Sequence, residues 1–233
     1  MKQRILGVFA HPDDESFSIG GTLAKYAAQK VEIYLVCATR GQSGQWSDVS
    51  PSARKLADVR QTELLTAAKI LGVKKVEFLG FKDGQINNNQ ILGLEEKISL
   101  KMKKIKPQVV VTFDPSGISG HLDHIAVSLA TTRAFLKVKE LKKLYYVVFP
   151  RSLAQKFNRL FLGFPDEKIT AKLDVSEYWS EKVKALKAHQ TQKADWERYL
   201  KRKNFPKIEY FNLAHSRTDQ LEESGNDLFA GIS

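Results

Sequence analysis

Residues 5–16 read ILGVFAHPDDES. A run of apolar residues, Ile5 to Ala10, ends abruptly in His11, Pro12 and the acids Asp13, Asp14 and Glu15. A short apolar run bounded by turn-forming residues suits a buried strand. In open α/β sheets, ligands bind beyond the carboxyl ends of the strands, where the strand order reverses. The stretch therefore carries one imidazole and three carboxylates to the edge where such proteins keep their sites. Pro12 fixes φ and stiffens the turn, and Gly20 and Gly21 let the next helix approach the sheet closely. Acids this dense repel one another, and a divalent cation offsets that repulsion. The plainer alternative is that one acid caps the helix while the others face water.

Working outward, short apolar runs alternate with helical patterns. Strands are expected at Arg4–Ala10, Glu32–Ala38, Lys75–Leu79, Gln108–Thr112 and Leu144–Phe149. Helices are expected near Ile19–Gln29, Ser52–Leu71, Asn88–Lys104 and His121–Leu136. This β-α-β-α rhythm predicts an α/β fold with a mostly parallel, doubly wound sheet. After Pro150 the rhythm changes to a long helix, about Ser176–Leu200, and an extended segment, Ile208–Leu213. These read as a C-terminal extension on the same sheet. Residues 1–215 form one domain in this reading. Residues 216–233, polar and acidic with glycine, read as a mobile tail.

A second constellation, SGISGHLDHIAV, follows the predicted strand VVVTFD. His121 and His124 stand three residues apart at the start of a helix, on one face, with Asp123 between them. Two such clusters, each after a strand of one parallel sheet, converge at the same edge. Two imidazoles and a carboxylate with an open fourth position make a catalytic Zn²⁺ arrangement. Water on such an ion has a pKa near about 7 and is a nucleophile at neutral pH. We assign His11, Asp14 and His124 as ligands to one Zn²⁺ per chain, with Fe²⁺ an alternative occupant. Asp13 remains as general base, and His121 as a cation or donor beside the developing oxyanion.

The 233 residues carry a net charge of +11, and lysines cluster at 97–107, 137–143 and 193–203. Those lysines lie at helical spacing opposite apolar residues and lack interleaved base-stacking aromatics, so solvated helix faces are expected rather than a nucleic-acid site. Cys37, the only cysteine, lies in an apolar run and reads as a buried structural thiol in a reducing, cytoplasmic setting. No stretch approaches the roughly 20 apolar residues of a membrane helix. Peripheral membrane contact is compatible with the basic surface, and the oligomeric state is not written in the sequence.

AHPDDES followed by GGTLAKY, together with SGHLDHIAV, resembles the PIG-L/LmbE family of metal-dependent de-N-acetylases. CATRGQSG, RQTELLTAAKILGV, LGFKDG and KALKAHQTQ extend the resemblance over about Ile5 to Gln192. It implies a Rossmann-like three-layer α/β/α fold and removal of acetyl groups from N-acetylated amino sugars or glycoconjugates. It implies the same roles for His11, Asp14, His124, Asp13 and His121. One departure is Gln42, where the family's loop carries an acid. Arg60 is a candidate to hold a substrate hydroxyl or phosphate, or else pairs with Glu63. Asp83 either accepts sugar hydroxyl protons or shapes a turn. Arg40 and Trp46 either line the pocket or sit on a loose loop. His189 is a further candidate for contact with the site. Two other classes compete: an Fe(II) oxygenase using a His11-x-Asp13…His triad, and a basic binding module without catalysis.

Overall fold

Apolar runs become strands and amphipathic runs become helices, in alternation. β1 (Arg4–Phe9) leads into α1 (Asp14–Ala28), β2 (Glu32–Thr39), α2 (Ala53–Ile70), β3 (Lys75–Phe81), α3 (Ile91–Ile105) and β4 (Val109–Phe113). A single helical turn, α4 (Gly117–Gly120), precedes α5 (Leu122–Lys137) and β5 (Lys143–Val148). Then come α6 (Arg151–Lys156), β6 (Ala171–Asp174), α7 (Trp179–Ala188), α8 (Lys193–Leu200) and β7 (Ile208–Ser216). The structure, a computed structural model, describes residues 2–44, 46, 52–156, 162–202, 204–218 and 225–232.

The strands form one sheet in the order β3-β2-β1-β4-β5-β7-β6. The first five are parallel. β7 runs antiparallel to both β5 and β6. The chain winds from β1 out to β3, then crosses back to begin β4 on the other side of β1. Strand order thus reverses between β1 and β4, and their carboxyl ends open the crevice. Both strands are buried on both faces, which is why they read as unbroken apolar runs. α3 packs against α5, whereas α1 and α2 pack against α7. The result is the three-layer α/β/α arrangement.

Beyond shifts of a few residues at element ends, three features differ from the sequence reading. α1 starts at Asp14, not Ile19, where the backbone instead kinks at φ −137°. The acidic run concealed this start, although acids in a first helical turn complement the helix dipole. The long helix expected over Ser176–Leu200 is broken at His189, between α7 and α8. There the side chains of His189 and Thr191 turn inward onto Glu15 and Glu63. The four residues of β6 alternate between buried and exposed but were too few to register.

The expected mobile tail is in part packed, while residues 219–224 and 233 lie outside the described residues. Leu228 is fully buried and Phe229 nearly so. The Tyr26 hydroxyl donates to Asp227 at 2.8 Å and accepts the Leu228 N–H at 2.6 Å. Lys143 donates to the carbonyl of Ala230 at 2.5 Å. Leu228→Ala is therefore expected to lower unfolding free energy by about 2–4 kcal/mol in a denaturant titration. A loss below about 0.5 kcal/mol would return this segment to the status of a tail.

Candidate active site

The loop after β1 and the loop after β4 meet across the crevice. His11 Nδ1 faces His124 Nε2 at 3.2 Å. Asp14 closes the triangle, with Oδ2 at 3.5 Å from His11 Nδ1 and Oδ1 at 3.3 Å from His124 Nε2. Donors about 2.0–2.1 Å from a tetrahedral ion are separated by roughly 3.4 Å. The three edges match that spacing.

The outward nitrogens decide what the inward ones can do. His11 Nε2 lies 3.0 Å from Asp83 Oδ1 and 3.2 Å from Asp123 Oδ2. His124 Nδ1 lies 3.1 Å from the carbonyl of Gly117. Each ring therefore donates its outer N–H to an acceptor, and in the neutral imidazoles the facing nitrogens both carry lone pairs. Two lone pairs and a carboxylate pointing at one spot repel unless a cation stands between them. This is how metal-ligating histidines are held. Gly117 is required: at φ +70° it favours glycine, and a Cβ would sit 2.8 Å from that of His124. Among the described residues two further groupings of metal-capable side chains, His11 with His121 and His124 and His11 with Asp83 and Asp123, both contain His11. In the second, both carboxylates lie on the outer nitrogen and serve to orient it.

Asp123, which the sequence marks only by its place between two histidines, is central to the site. It is 1% exposed and accepts N–H bonds from Gly84 at 2.7 Å and Ile86 at 3.2 Å. Burial alone would raise its pKa, but His11 and these amides lower it, so it stays a carboxylate. Asp83 accepts from the Ser43 amide at 2.9 Å. It is an orienting partner of His11, not a free acceptor for sugar hydroxyls.

Asp13 stands beside the metal-capable triangle with φ +112°, a left-handed conformation unusual for aspartate. Its carboxylate lies 3.2 Å from the Arg60 guanidinium. Its N–H donates to Glu15 at 3.0 Å. Burial outweighs the Arg60 charge and raises its pKa to about 6. Arg60 also donates to the carbonyls of Pro12 at 2.6 Å and Gly41 at 3.0 Å. Gly41, at φ +69°, has no room for a Cβ, which would meet that guanidinium at 2.5 Å. Arg60 is thus a buried clamp on the loop after β1, rather than a free anion binder or a partner of Glu63. Glu63, the proposed ion-pair partner, instead holds Thr191 through bonds of 2.8 and 2.7 Å.

His121 caps α5, its Nδ1 accepting the Asp123 N–H at 3.1 Å. Its proton therefore sits on Nε2. Burial and the charges of His11 and His124 lower its pKa. The neutral donor is the form the geometry favours, rather than a cation. His189 is fully buried, reaches Glu15 at 2.9 Å and lies 3.5 Å from the Ser16 hydroxyl, behind the loop that carries Asp13. Arg40 pairs with Asp58, and Trp46 is half-buried. None of Arg40, Trp46, Arg60, Asp83 and His189 belongs to the described wall of the cavity, which includes Asp13, Asp14, His121 and His124.

The model of the family described as GlcNAc-PI de-N-acetylase matches residues 6–135. The chain belongs to the PIG-L de-N-acetylase family. It is an enzyme of the class that hydrolyses the amide of N-acetylated amino sugars. A 1D-myo-inositol 2-acetamido-2-deoxy-alpha-D-glucopyranoside deacetylase of Thermobifida fusca is 30% identical over 98% of this chain and 99% of its own. The protein of the same name from Mycobacteroides abscessus is 36% identical over 82% of this chain and 81% of its own. Among solved structures, the 4-carboxy-2-hydroxymuconate hydratase GalB of Pseudomonas putida KT2440 superposes with a TM-score of 0.72 at 20% identity, over 94% of this chain and 98% of its own. The N,N'-diacetylchitobiose deacetylase of Pyrococcus horikoshii superposes at 0.65 with 23% identity, over 85% and 75%. These likenesses establish the fold of the PIG-L chain; its chemistry has to come from the site. The facial-triad alternative fails on two counts. Asp13 faces Arg60 rather than the imidazoles, and the sheet is a mostly parallel α/β sheet rather than a jelly roll.

Burial lowers the pKa of His11, but Asp123, Asp14 and Asp83 outweigh it and hold it well above the ordinary value. Asp14 likewise outweighs burial at His124 and raises its pKa. A metal must displace those protons, so its apparent affinity is expected to rise with pH through the neutral range, with net proton release. Titration calorimetry in buffers of different ionisation enthalpy checks this; pH-independent binding without proton release would contradict it. In the same assay Asp123→Asn is expected to weaken metal affinity about 10- to 100-fold.

Proposed function

We propose that the chain is a metal-dependent hydrolase of the acetamide in an N-acetylglucosamine-type glycoside, with His11, Asp14 and His124 as ligands. The observation that carries this reading is the converging donor triangle with both outer ring N–H groups already accepted. Zinc suits two imidazoles and one carboxylate, and Fe²⁺ accepts the same set. A divalent cation held there supplies Lewis acidity toward the amide carbonyl and makes nearby water more acidic.

The protein groups account for the proton movements. Asp13, with its pKa raised to about 6, accepts the proton of the attacking water and later passes it to the leaving amine. A base poised near the working pH suits both transfers. Arg60 fixes the carboxylate from one side and Glu15 fixes the backbone from the other. The His121 Nε2–H is the donor for the oxygen that gains charge as the carbonyl becomes tetrahedral. The products are acetate and the free amino sugar. The named substrates of the relatives support a glucosamine glycoside. Among the described residues, no helix is long and apolar enough to cross a membrane. The buried, unpaired Cys37 supports a reducing compartment such as the cytoplasm.

Metal analysis paired with acetate release tests the assignment. Wild type is expected to hold about one ion per chain, and His124→Ala to lose it with its activity. Asp13→Asn is expected to keep the ion while kcat falls about 100- to 10,000-fold. An Asp13→Asn variant that loses the metal, or turns over at the wild-type rate, would sink the base assignment.

A further inference from the structure

The cavity that opens from Asp13, Asp14, His121 and His124 encloses about 530 Å³. The rest of its wall is largely apolar and aromatic, with Phe17, Val148, Phe149, Phe205 and Tyr210 prominent. The rings of Phe149 and Phe205 stack at 6.0 Å, and Phe205 meets Tyr199 edge-on at 5.2 Å. Two charged groups on this wall, Lys182 and Glu209, are turned on each other. Lys182 Nζ lies 2.5 Å from Glu209 Oε1 and donates to the carbonyl of Phe17 at 2.9 Å, with its side chain 1% exposed. Glu209 also accepts the N–H groups of Gly21 at 3.0 Å and Thr22 at 2.7 Å. Asp195 pairs with Arg198 at 3.3 Å. A polyol lying against the Phe17, Val148, Phe149 and Phe205 face would find Lys182 and Glu209 already satisfied by each other, and each hydroxyl left unmatched there costs binding. An apolar group meets the opposite balance.

We propose that this wall is a subsite for an alkyl or aryl group joined directly to the amino sugar, so that the preferred substrate is an amphiphilic glycoside rather than a polyol glycoside. The catalytic part of this inference rests on the de-N-acetylase reading; the binding part does not. The apolar group has two chemical sources, the glycosidic oxygen or the acyl chain on the nitrogen. In either case the amide C–N bond breaks, water supplies the new C–O bond, and a proton goes to the departing amine.

Two substrate series separate the sources. The first compares acetate release from hexyl, methyl and myo-inositol glycosides of N-acetylglucosamine. The second compares amine release from the N-hexanoyl and N-acetyl forms of the methyl glycoside. One series is expected to show at least about a tenfold rise in kcat/KM for the hexyl or hexanoyl member. Phe205→Ser and, separately, Tyr210→Asn are expected to bring that ratio toward one. Calorimetry with the Asp13→Asn protein reads binding without turnover, and there too the hexyl or hexanoyl ligand is expected to bind tighter than the methyl glycoside of N-acetylglucosamine. Tighter binding with no hydrolysis of any sugar would remove the de-N-acetylase reading and leave the subsite standing. Equal binding and equal kcat/KM across both series, or preference for the inositol glycoside, would overturn the subsite.

Discussion

Electron pairs converge where β1 and β4 end. His11 and His124 each give away their outer N–H, to carboxylates and to a carbonyl, and are left with lone pairs facing each other across 3.2 Å beside the Asp14 carboxylate. A neutral protein interior does not tolerate that arrangement for long. Either protons fill it, as the raised pKa values of both rings imply, or a divalent cation does. Much of the surrounding architecture serves to keep the pairs converging. Asp123 is pinned by two backbone amides, Asp83 by the Ser43 amide, and Gly117 leaves room for the His124 Cβ.

A second constraint keeps the neighbouring acid available. Asp13 is one position before Asp14 in sequence, yet its carboxylate faces Arg60. The left-handed backbone at Asp13 separates the two acids, at a cost of about 1–3 kcal/mol. Arg60 and Glu15 offset that cost by binding the loop's carbonyls and N–H groups. Glu15 in turn is bonded to Ser16 and His189. The break between α7 and α8 at His189 thus has a purpose two steps removed from the reacting atoms.

The two loops that meet at the crevice were legible because they combine uncommon residue types with a telling position. His11, Asp14 and His124 follow strands that announce themselves as apolar runs, and a parallel sheet gathers such ends on one edge. The partners of those residues were much less legible. Arg60 and Asp83 look like surface residues of a helix and a turn, and only tertiary contact shows that both are buried beneath the site. Asp123 had one usable signal, its place between two histidines on a helix's first turn. The break at His189 had none, since no proline or glycine interrupts AHQTQ. Local pattern reports periodicity, whereas these features depend on groups distant in the chain.

The β1·β4 pairing also governs the order of events in time. His11 and His124 are 113 positions apart, and their loops meet only when two strands from distant parts of the chain lie side by side. Closing so long a loop is slow and precedes any reward from the site. The full donor set therefore exists only once the two loops have met. The binding energy of an ion held there would fall on the finished sheet, slowing escape from the native state rather than hastening arrival. A divalent ion held by His11, Asp14 and His124 would act as a lock on a completed structure, and its removal would shorten the native lifetime without changing the path by which that structure is reached.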